Sequence, residues 1–246
     1  MTQNDQHQLH FDEITGEPYL RLPNPLENYI ITPTRIDDAP AIVNILNGPG
    51  VAKWLAAIPK PYTLSDGEWW VGFTREAEEK WLTQMRESGP SSKSPFGGCP
   101  LKCIRHVKED GTQVLVGNVG VGRCSFSYLE DDQKAKQLAA ENERRSIGDP
   151  EIVWALGDYL SVSYHGQGIM TAAIRTIIND WMIPRMGVRC IIVDPYLGNR
   201  GSVRVFEKNG FVLESVTSKK IVTLGGDIHE GQNVLIWRKE WCIEDI

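Results

Sequence analysis

Gly166-Gln167-Gly168 stands at the mouth of a strongly periodic helix, and an apolar run, Ile152-Val153-Trp154-Ala155-Leu156, leads up to it. Glycines at a helix entrance let backbone N–H groups approach and surround an anion, and the helix dipole adds favourable charge. The order strand, glycine turn, helix therefore predicts a phosphate-cradling loop on a buried scaffold. Two glycines also precede a helix where a turn needs only positive φ. The context favours the anion. A second strand-like run, Cys190-Ile191-Ile192-Val193, follows, and Asn199-Arg200-Gly201-Ser202 then opens a short helix. Lys208-Asn209-Gly210-Phe211 ends that helix, Asn-Gly being a common stopping pair.

A dinucleotide-binding turn is the rival for Gly-x-Gly. Its fingerprint has a third glycine where this chain has Thr171, and an acid after the second strand. Asp194 meets the second requirement, but Asp194-Pro195 runs into a loop with no alternating βαβ series behind it. No Gly-x-x-x-x-Gly-Lys-Ser/Thr sequence occurs. A nicotinamide-dependent oxidoreductase is the lesser alternative.

On these residues the chain resembles the GNAT superfamily of N-acetyltransferases, in the branch that contains the ribosomal-protein alanine acetyltransferases. The glycine loop, the Asn199 to Ser202 spacing and the Lys208 to Phe211 ending carry the resemblance. It extends to Ile30-Ile31-Thr32-Pro33, Asp37-Asp38-Ala39 and Pro61-Tyr62-Thr63. The resemblance implies acetyl-CoA as co-substrate, no metal, and direct attack of a neutral primary amine on the thioester. The protein then supplies positioning, an oxyanion donor, a base and an acid. It also implies cofactor contacts from Leu160, Val162, His165, Gly166, Gln167, Gly168, Ile169, Met170, Thr171, Asn199, Ser202 and Phe206. The family pattern has Arg or Gln three residues before the first glycine, where this chain has Ser163. Main-chain amides make most of the expected anion contacts. The strand ending near Leu160 and Val162 is expected to bulge and to splay from the Cys190 strand, which leaves a gap for the pantetheine arm.

Ser202 matches the family position proposed to protonate the departing thiolate; it also reads as a small first-turn serine. Phe206 stands where some relatives have a tyrosine, and it cannot donate a proton. Asn199 reads as an N-cap, and the resemblance adds contact with the cofactor arm. Asp158 is the candidate base, acting directly or through water, with Glu151 and Glu214 as others; a water chain with no dedicated base also fits. Trp54, Pro61, Tyr62, Trp69 and Trp70 fall in the region that walls the acceptor in the family, although each also suits plain packing. The acceptor is an amine on a small molecule or a protein N-terminus. From another functional class, a module that binds acyl-CoA without turnover is the alternative.

The elements that must position these residues can be read along the 246-residue chain. After Gly168, apolar Met170, Ala173, Ile174, Ile177, Ile178 and Trp181 keep a one-sided helical period that requires a sheet beneath it. Residues 1–28 read as a flexible arm, and 29–246 as a single domain with a polar insertion near 129–149. Ile30-Ile31 predicts a first strand, Asp37 an N-cap, and Thr63 with Asp66 a capping pair for a longer helix. The apolar face of that helix reads as Trp70, Phe73, Ala77 and Trp81. Glu87 to Pro95 is linker-like. Strands are expected over Leu101 to Val107, Val114 to Val121, Phe211 to Val216 and Asn233 to Trp237. The sum is an α/β fold: a mixed, mostly antiparallel central sheet with helices on both faces.

Composition narrows the function classes. The chain is 41% hydrophobic and 24% charged, ordinary for a globular protein. A net charge of −6 argues against nonspecific nucleic-acid binding. No stretch has the length to cross a bilayer, and the N-terminus lacks signal-peptide character, so a cytoplasmic or nuclear monomer or homodimer is expected. Five cysteines are scattered and odd in number, unlike a disulfide framework. Cys99, Cys103, His106 and Cys124 are the tempting metal cluster, but a strand at 101–107 turns Cys103 and His106 to opposite faces.

Overall fold

The computed structural model describes residues 9–88 and 94–241. Residues 1–8, Cys242 and residues 89–93 of the linker-like run lie outside the described residues. Residues 10–21, expected to belong to an arm, instead form β1 (His10–Phe11) and β2 (Pro18–Arg21). β2 pairs antiparallel with β3 (Tyr29–Thr32), the strand expected at Ile30-Ile31. Leu20 and Leu22 are buried in the main core, so two apolar anchors in a polar stretch suffice to hold this edge.

Helices α1 (Ala39–Leu46), α2 (Pro49–Ala52) and α3 (Leu64–Ser88) follow. The residue at the N-cap of α1 is Asp38 rather than Asp37, and its carboxylate bonds no helix amide. It is drawn instead to Arg105, whose Nη1 and Nη2 donate to Asp38 Oδ1 and Oδ2 at 2.8 and 2.7 Å in a buried bidentate pair. The Thr63–Asp66 capping pair forms as expected, with Thr63 N–H and Oγ1 donating to Asp66 Oδ2 at 2.8 and 2.6 Å.

The inward face of α3 is not the aromatic one. Gly67, Val71, Thr74 and Glu78 are buried, while Trp70, Phe73 and Ala77 of the expected face are exposed, as is Trp69; of that face only Trp81 packs against the main core. Glu78 is satisfied there: Thr34 donates from N–H and Oγ1 at 2.9 and 2.8 Å, and Lys102 lies at 3.4 Å. Gly67 lets α1 approach, since a Cβ on it would meet Val43 at 2.8 Å. Counting apolar residues misjudges a helix whose buried acid is hydrogen-bonded.

β4 (Cys103–Val107) and β5 (Gln113–Arg123) form the expected hairpin. α4 (Asp132–Arg144) occupies the polar insertion, capped by Asp131, whose carboxylate accepts from Gln133 and Lys134 N–H. β6 (Val153–Leu160) precedes α5 (Ile169–Thr176), which continues through a π turn at Ile177–Met182 into α6 (Ile183–Met186). All six residues of the expected stripe are buried. β7 (Cys190–Val193), α7 (Arg200–Glu207), β8 (Val212–Val216), a hairpin of β9 (Ile221–Val222) and β10 (Ile228–His229), and β11 (Asn233–Arg238) complete the described chain.

Among the described residues nine strands make one sheet, ordered β1-β2-β3-β4-β5-β6-β7-β11-β8. Every neighbouring pair is antiparallel except β6 with β7. α5 and α7 share the large core on one face, with Trp154, Leu156, Leu160, Ile191 and Val193. α1, α2 and α4 cover the other face in two smaller clusters. No described helix is long and apolar enough to cross a membrane.

Candidate active site

The parallel pair creates the site. β6 and β7 bond only over Val153–Ala155 against Cys190–Ile192. Beyond Ala155, β6 stays with β5 as far as Leu160 and leaves β7. This is the expected splay. The expected bulge does not occur: the β5–β6 register is unbroken from Trp154 to Leu160, and the chain leaves the strand through a 3₁₀ turn at Val162–Tyr164. Ser161 N–H donates to Val116 C=O at 2.7 Å, on the β5 side. Strand alternation therefore turns the N–H and C=O of Leu156, Asp158 and Leu160 toward the gap.

At the end of the gap lies the glycine turn. Gly166 and Gly168 have φ of +74° and +80°, a left-handed backbone that suits glycine. Gly168 is the N-cap residue of α5, so the first-turn amides of that helix open beside it. His165 donates from Nε2 to Leu160 C=O at 2.8 Å and ties the turn to the strand. Asn209 braces the other side, donating from Nδ2 to Thr171 C=O at 3.2 Å and Val205 C=O at 2.9 Å.

The gap opens into a cleft of about 1190 Å³. Asp158, Leu160, His165, Gly166, Gly168, Ile169, Met170, Thr171, Asn199, Ser202 and Phe206 all line it. Val162 and Gln167 do not: Val162 is exposed and contacts Gly50, and Gln167 Nε2 donates to Ser163 C=O at 3.0 Å. Asn199 caps α7, accepting from Ser202 N–H at 3.3 Å through Oδ1, and its Nδ2 is left for the cleft. Ser202 is half-buried, and its hydroxyl bonds no described residue. Phe206 is buried edge-on against Phe211, with ring centroids 5.1 Å apart.

Asp158 is half-buried and makes no hydrogen bond or ion pair with a described residue; burial pushes its carboxyl up to about 6. The other candidate bases do not reach the cleft. Glu151 is exposed and pairs with Arg145 at 2.6 Å, and Glu214 sits on the exposed edge strand β8. Of the five residues expected to wall the acceptor, Trp54 alone lines the cleft. Tyr62 is buried against α1, and Trp69 and Trp70 face outward on α3.

Several cleft residues carry no local motif. Asp194 and Tyr196 follow β7, Gln232 precedes β11, and Lys53, Lys220, Ile221 and Val222 bring in the loop after α2 and the β9–β10 hairpin. These two outer segments are bound together. Leu224 N–H donates to Ala56 C=O at 2.9 Å, His229 Nε2 donates to Lys53 C=O at 2.9 Å, and Lys60 pairs with Asp227. Ser127, just before the insertion, borders the cleft, and Lys219 Nζ donates to Ser127 C=O at 3.0 Å and to Asp132 of the insertion at 2.6 Å. The tempting cysteine cluster is dispersed: Cys99 Sγ donates to Leu101 C=O, Cys103 Sγ lies 3.6 Å from Thr34 Oγ1, and Cys124 Sγ accepts from Phe126 N–H.

Comparison with known proteins adds to this geometry. A family model described as an acetyltransferase (GNAT) domain matches residues 28–212. No curated protein sequence matches the chain. Among solved structures, a ribosomal-protein-S5-alanine acetyltransferase from Vibrio fischeri aligns over 87% of this chain and 96% of its own, at 19% identity and a TM-score of 0.58. Mycobacterium smegmatis RimJ, solved with CoA-disulfide, aligns over 93% and 89% at 15% identity and 0.56. The microcin C7 self-immunity acetyltransferase MccE, solved with acetyl-CoA and AMP, aligns over 86% and 93% at 16% identity and 0.53. At these identities the likeness establishes the fold.

Proposed function

The chain belongs to the GNAT acetyltransferase family, and from that premise we propose that its cleft moves an acetyl group from acetyl-CoA to a primary amine. One observation carries the reading: the only parallel strand pair in the described sheet parts beside a left-handed glycine turn that opens a helix. Such a turn gathers backbone amides for a pyrophosphate, and the parted strand offers unpaired N–H and C=O groups to an amide-bearing arm. The residues fit that co-substrate.

The step balances without a covalent enzyme intermediate. The amine nitrogen bonds the thioester carbon, the C–S bond breaks, and the sulfur leaves with its electron pair. An N–H on the free edge of β6 polarises the thioester oxygen. Asp158 receives a proton from the amine, directly or through water, and Ser202 returns one to the sulfur. Asn199 Nδ2 steadies the cofactor arm. The acceptor is a small-molecule amine or a protein N-terminus.

Isothermal titration with acetyl-CoA, with NADH as the control, tests the reading. Saturable binding of acetyl-CoA alone, followed by amine-dependent release of free thiol, is expected. Binding without thiol release across an amine panel would leave a module that holds acyl-CoA. Binding of NADH would overturn the assignment of the glycine turn.

A further inference from the structure

Asp194 is a half-buried carboxylate in the cleft wall with no cationic partner among the described residues. Gln232 holds it: Nε2 donates to Asp194 Oδ2 and to Asp194 C=O, both at 2.9 Å. Gln232 is only 7% exposed, and its Oε1 is buried without a partner. Both hydrogens of that amide are thus committed to one residue, which fixes the carboxylate at the end of β7. Burial raises the Asp194 carboxyl, and the Gln232 bond opposes the rise. A buried negative group without a counter-charge is costly unless something positive comes to it.

The alternation of the two strands decides which side it serves. Asp158 shares parity with Leu156 and Leu160, on the face of α5, α7 and the glycine turn. Asp194 shares parity with Ile192, on the opposite face. Tyr159 marks that same opposite face and packs with the cluster that includes Val51 and Leu55, on either side of Trp54. Two residues after Asp194, Tyr196 stacks on His229 with centroids 3.9 Å apart and planes 5° apart, and Trp54 stacks on the same ring at 5.7 Å. The anion-binding turn and Asp194 therefore lie on opposite sides of the parted strands, and aromatic rings flank the second side.

We infer that Asp194, positioned by Gln232 and flanked by Trp54 and Tyr196, docks the acceptor as a singly charged primary ammonium on an apolar stem. The inference rests on the acetyl-transfer reading and names the acceptor class for it. The Asp194 carboxylate supplies the counter-charge for an ammonium group, while the rings of Trp54 and Tyr196, already stacked on His229 and in the case of Trp54 also carrying Lys53 Nζ at 4.9 Å, add apolar surface for the stem. The exposed Lys53 and Lys220 line the same cleft, and their charge disfavours an acceptor with further cationic groups. Asp194 takes the ammonium; the proton leaves to water, or by way of water across the gap to Asp158, before the nitrogen attacks.

The test is calorimetric titration of the whole protein, with and without CoA, using 2-phenylethylammonium, its neutral isostere 2-phenylethanol, and spermidine. The wild type should bind 2-phenylethylammonium about tenfold more tightly than the alcohol and more tightly than spermidine. Asp194→Asn should erase the preference over the alcohol, with acetyl-CoA affinity retained and Tm no lower than that of the wild type. Gln232→Met should reduce the preference by about threefold, a change in discrimination that a purely structural role would not cause. Equal affinity of the wild type for ammonium and alcohol overturns the inference, whether or not either variant folds. So does an unchanged preference in Asp194→Asn. Failure to bind acetyl-CoA is a separate result that strikes the acetyl-transfer reading, because the amine titrations are also run without CoA.

Discussion

The imidazole of His165 donates from Nε2 to the carbonyl oxygen of Leu160 at 2.8 Å. This bond joins the last residue of β6 to the first residue before the glycine turn, so the strand edge and the turn hold one geometry. It also takes a carbonyl that would otherwise face the gap. Removing it with His165→Ala should weaken acetyl-CoA binding by about fivefold, the loss expected for one hydrogen bond of ~1 kcal/mol. His165→Gln, which can donate to the same carbonyl, should recover most of the affinity. Calorimetric titration of the two variants checks the pair.

A Cβ at Gly166 or Gly168 meets no protein atom within 4 Å, so the protein's own packing is not what these positions protect. Their positive φ is. A side chain other than glycine costs about 1–2 kcal/mol in that conformation, with asparagine among the best tolerated. Gly166→Val with Gly168→Val should bring acetyl-CoA binding below detection in a protein that still folds. Gly168→Asn should keep binding within about tenfold of the wild type. Equal loss in Gly168→Asn and Gly168→Val would mean that backbone conformation is not the requirement.

Ser202→Ala should lower turnover by about 10²-fold while acetyl-CoA affinity stays within about twofold, because the proposed acid would act on the leaving sulfur and bear little of the binding. Steady-state thiol release and titration on the same preparation separate the two quantities. A rate equal to wild type would remove Ser202 as the acid.

Asp158 gives opposite pH signatures in rate and in stability. Its carboxyl sits at about 6 instead of the ordinary 3.8 because burial disfavours the charge. A base must be ionised, so turnover that depends on Asp158 should rise with pH through about 6 and then level off. The native state keeps a proton that the unfolded chain releases across the window from 3.8 to about 6. The stabilising contribution is therefore complete below that window and is lost as pH rises through it. Asp158→Asn should raise stability on the order of 2 kcal/mol near neutral pH and change it little at about pH 4. Thermal melts at both pH values read this directly, and an equal shift at both would contradict a desolvated carboxyl.

Local patterns made much of this legible, and their limits are physical. The strand, glycine turn and helix could be read because positive φ and a 3.6-residue period are properties of adjacent residues. The burial of α5 and the capping by Asn199 followed from the same kind of signal. The inward face of α3 did not, because Glu78 is buried by virtue of Thr34 and Lys102, which lie 44 residues before it and 24 after it. β1 and β2 escaped because they carry few apolar residues in a polar stretch, whereas β3 and β7, as short as β2, are apolar runs. Asp194 was visible only as an acid after a strand. Its significance depends on Gln232, 38 residues later, and on the parity of a strand whose partner leaves it.

β11 is the last strand in the described chain, yet it inserts between β7 and β8. The order of synthesis therefore differs from the order of assembly. A growing chain has made β6, the glycine turn and β7 well before residues 233–238 emerge, and until then β7 presents an open edge on the side away from β6. At about 5–20 residues per second, the interval between residue 193 and residue 238 is roughly 2 to 9 seconds. Throughout it, an apolar strand in the middle of the future sheet is free to pair with another nascent chain. The strand order thus leaves open, until β11 is made, an edge of the kind that finished sheets keep short or covered.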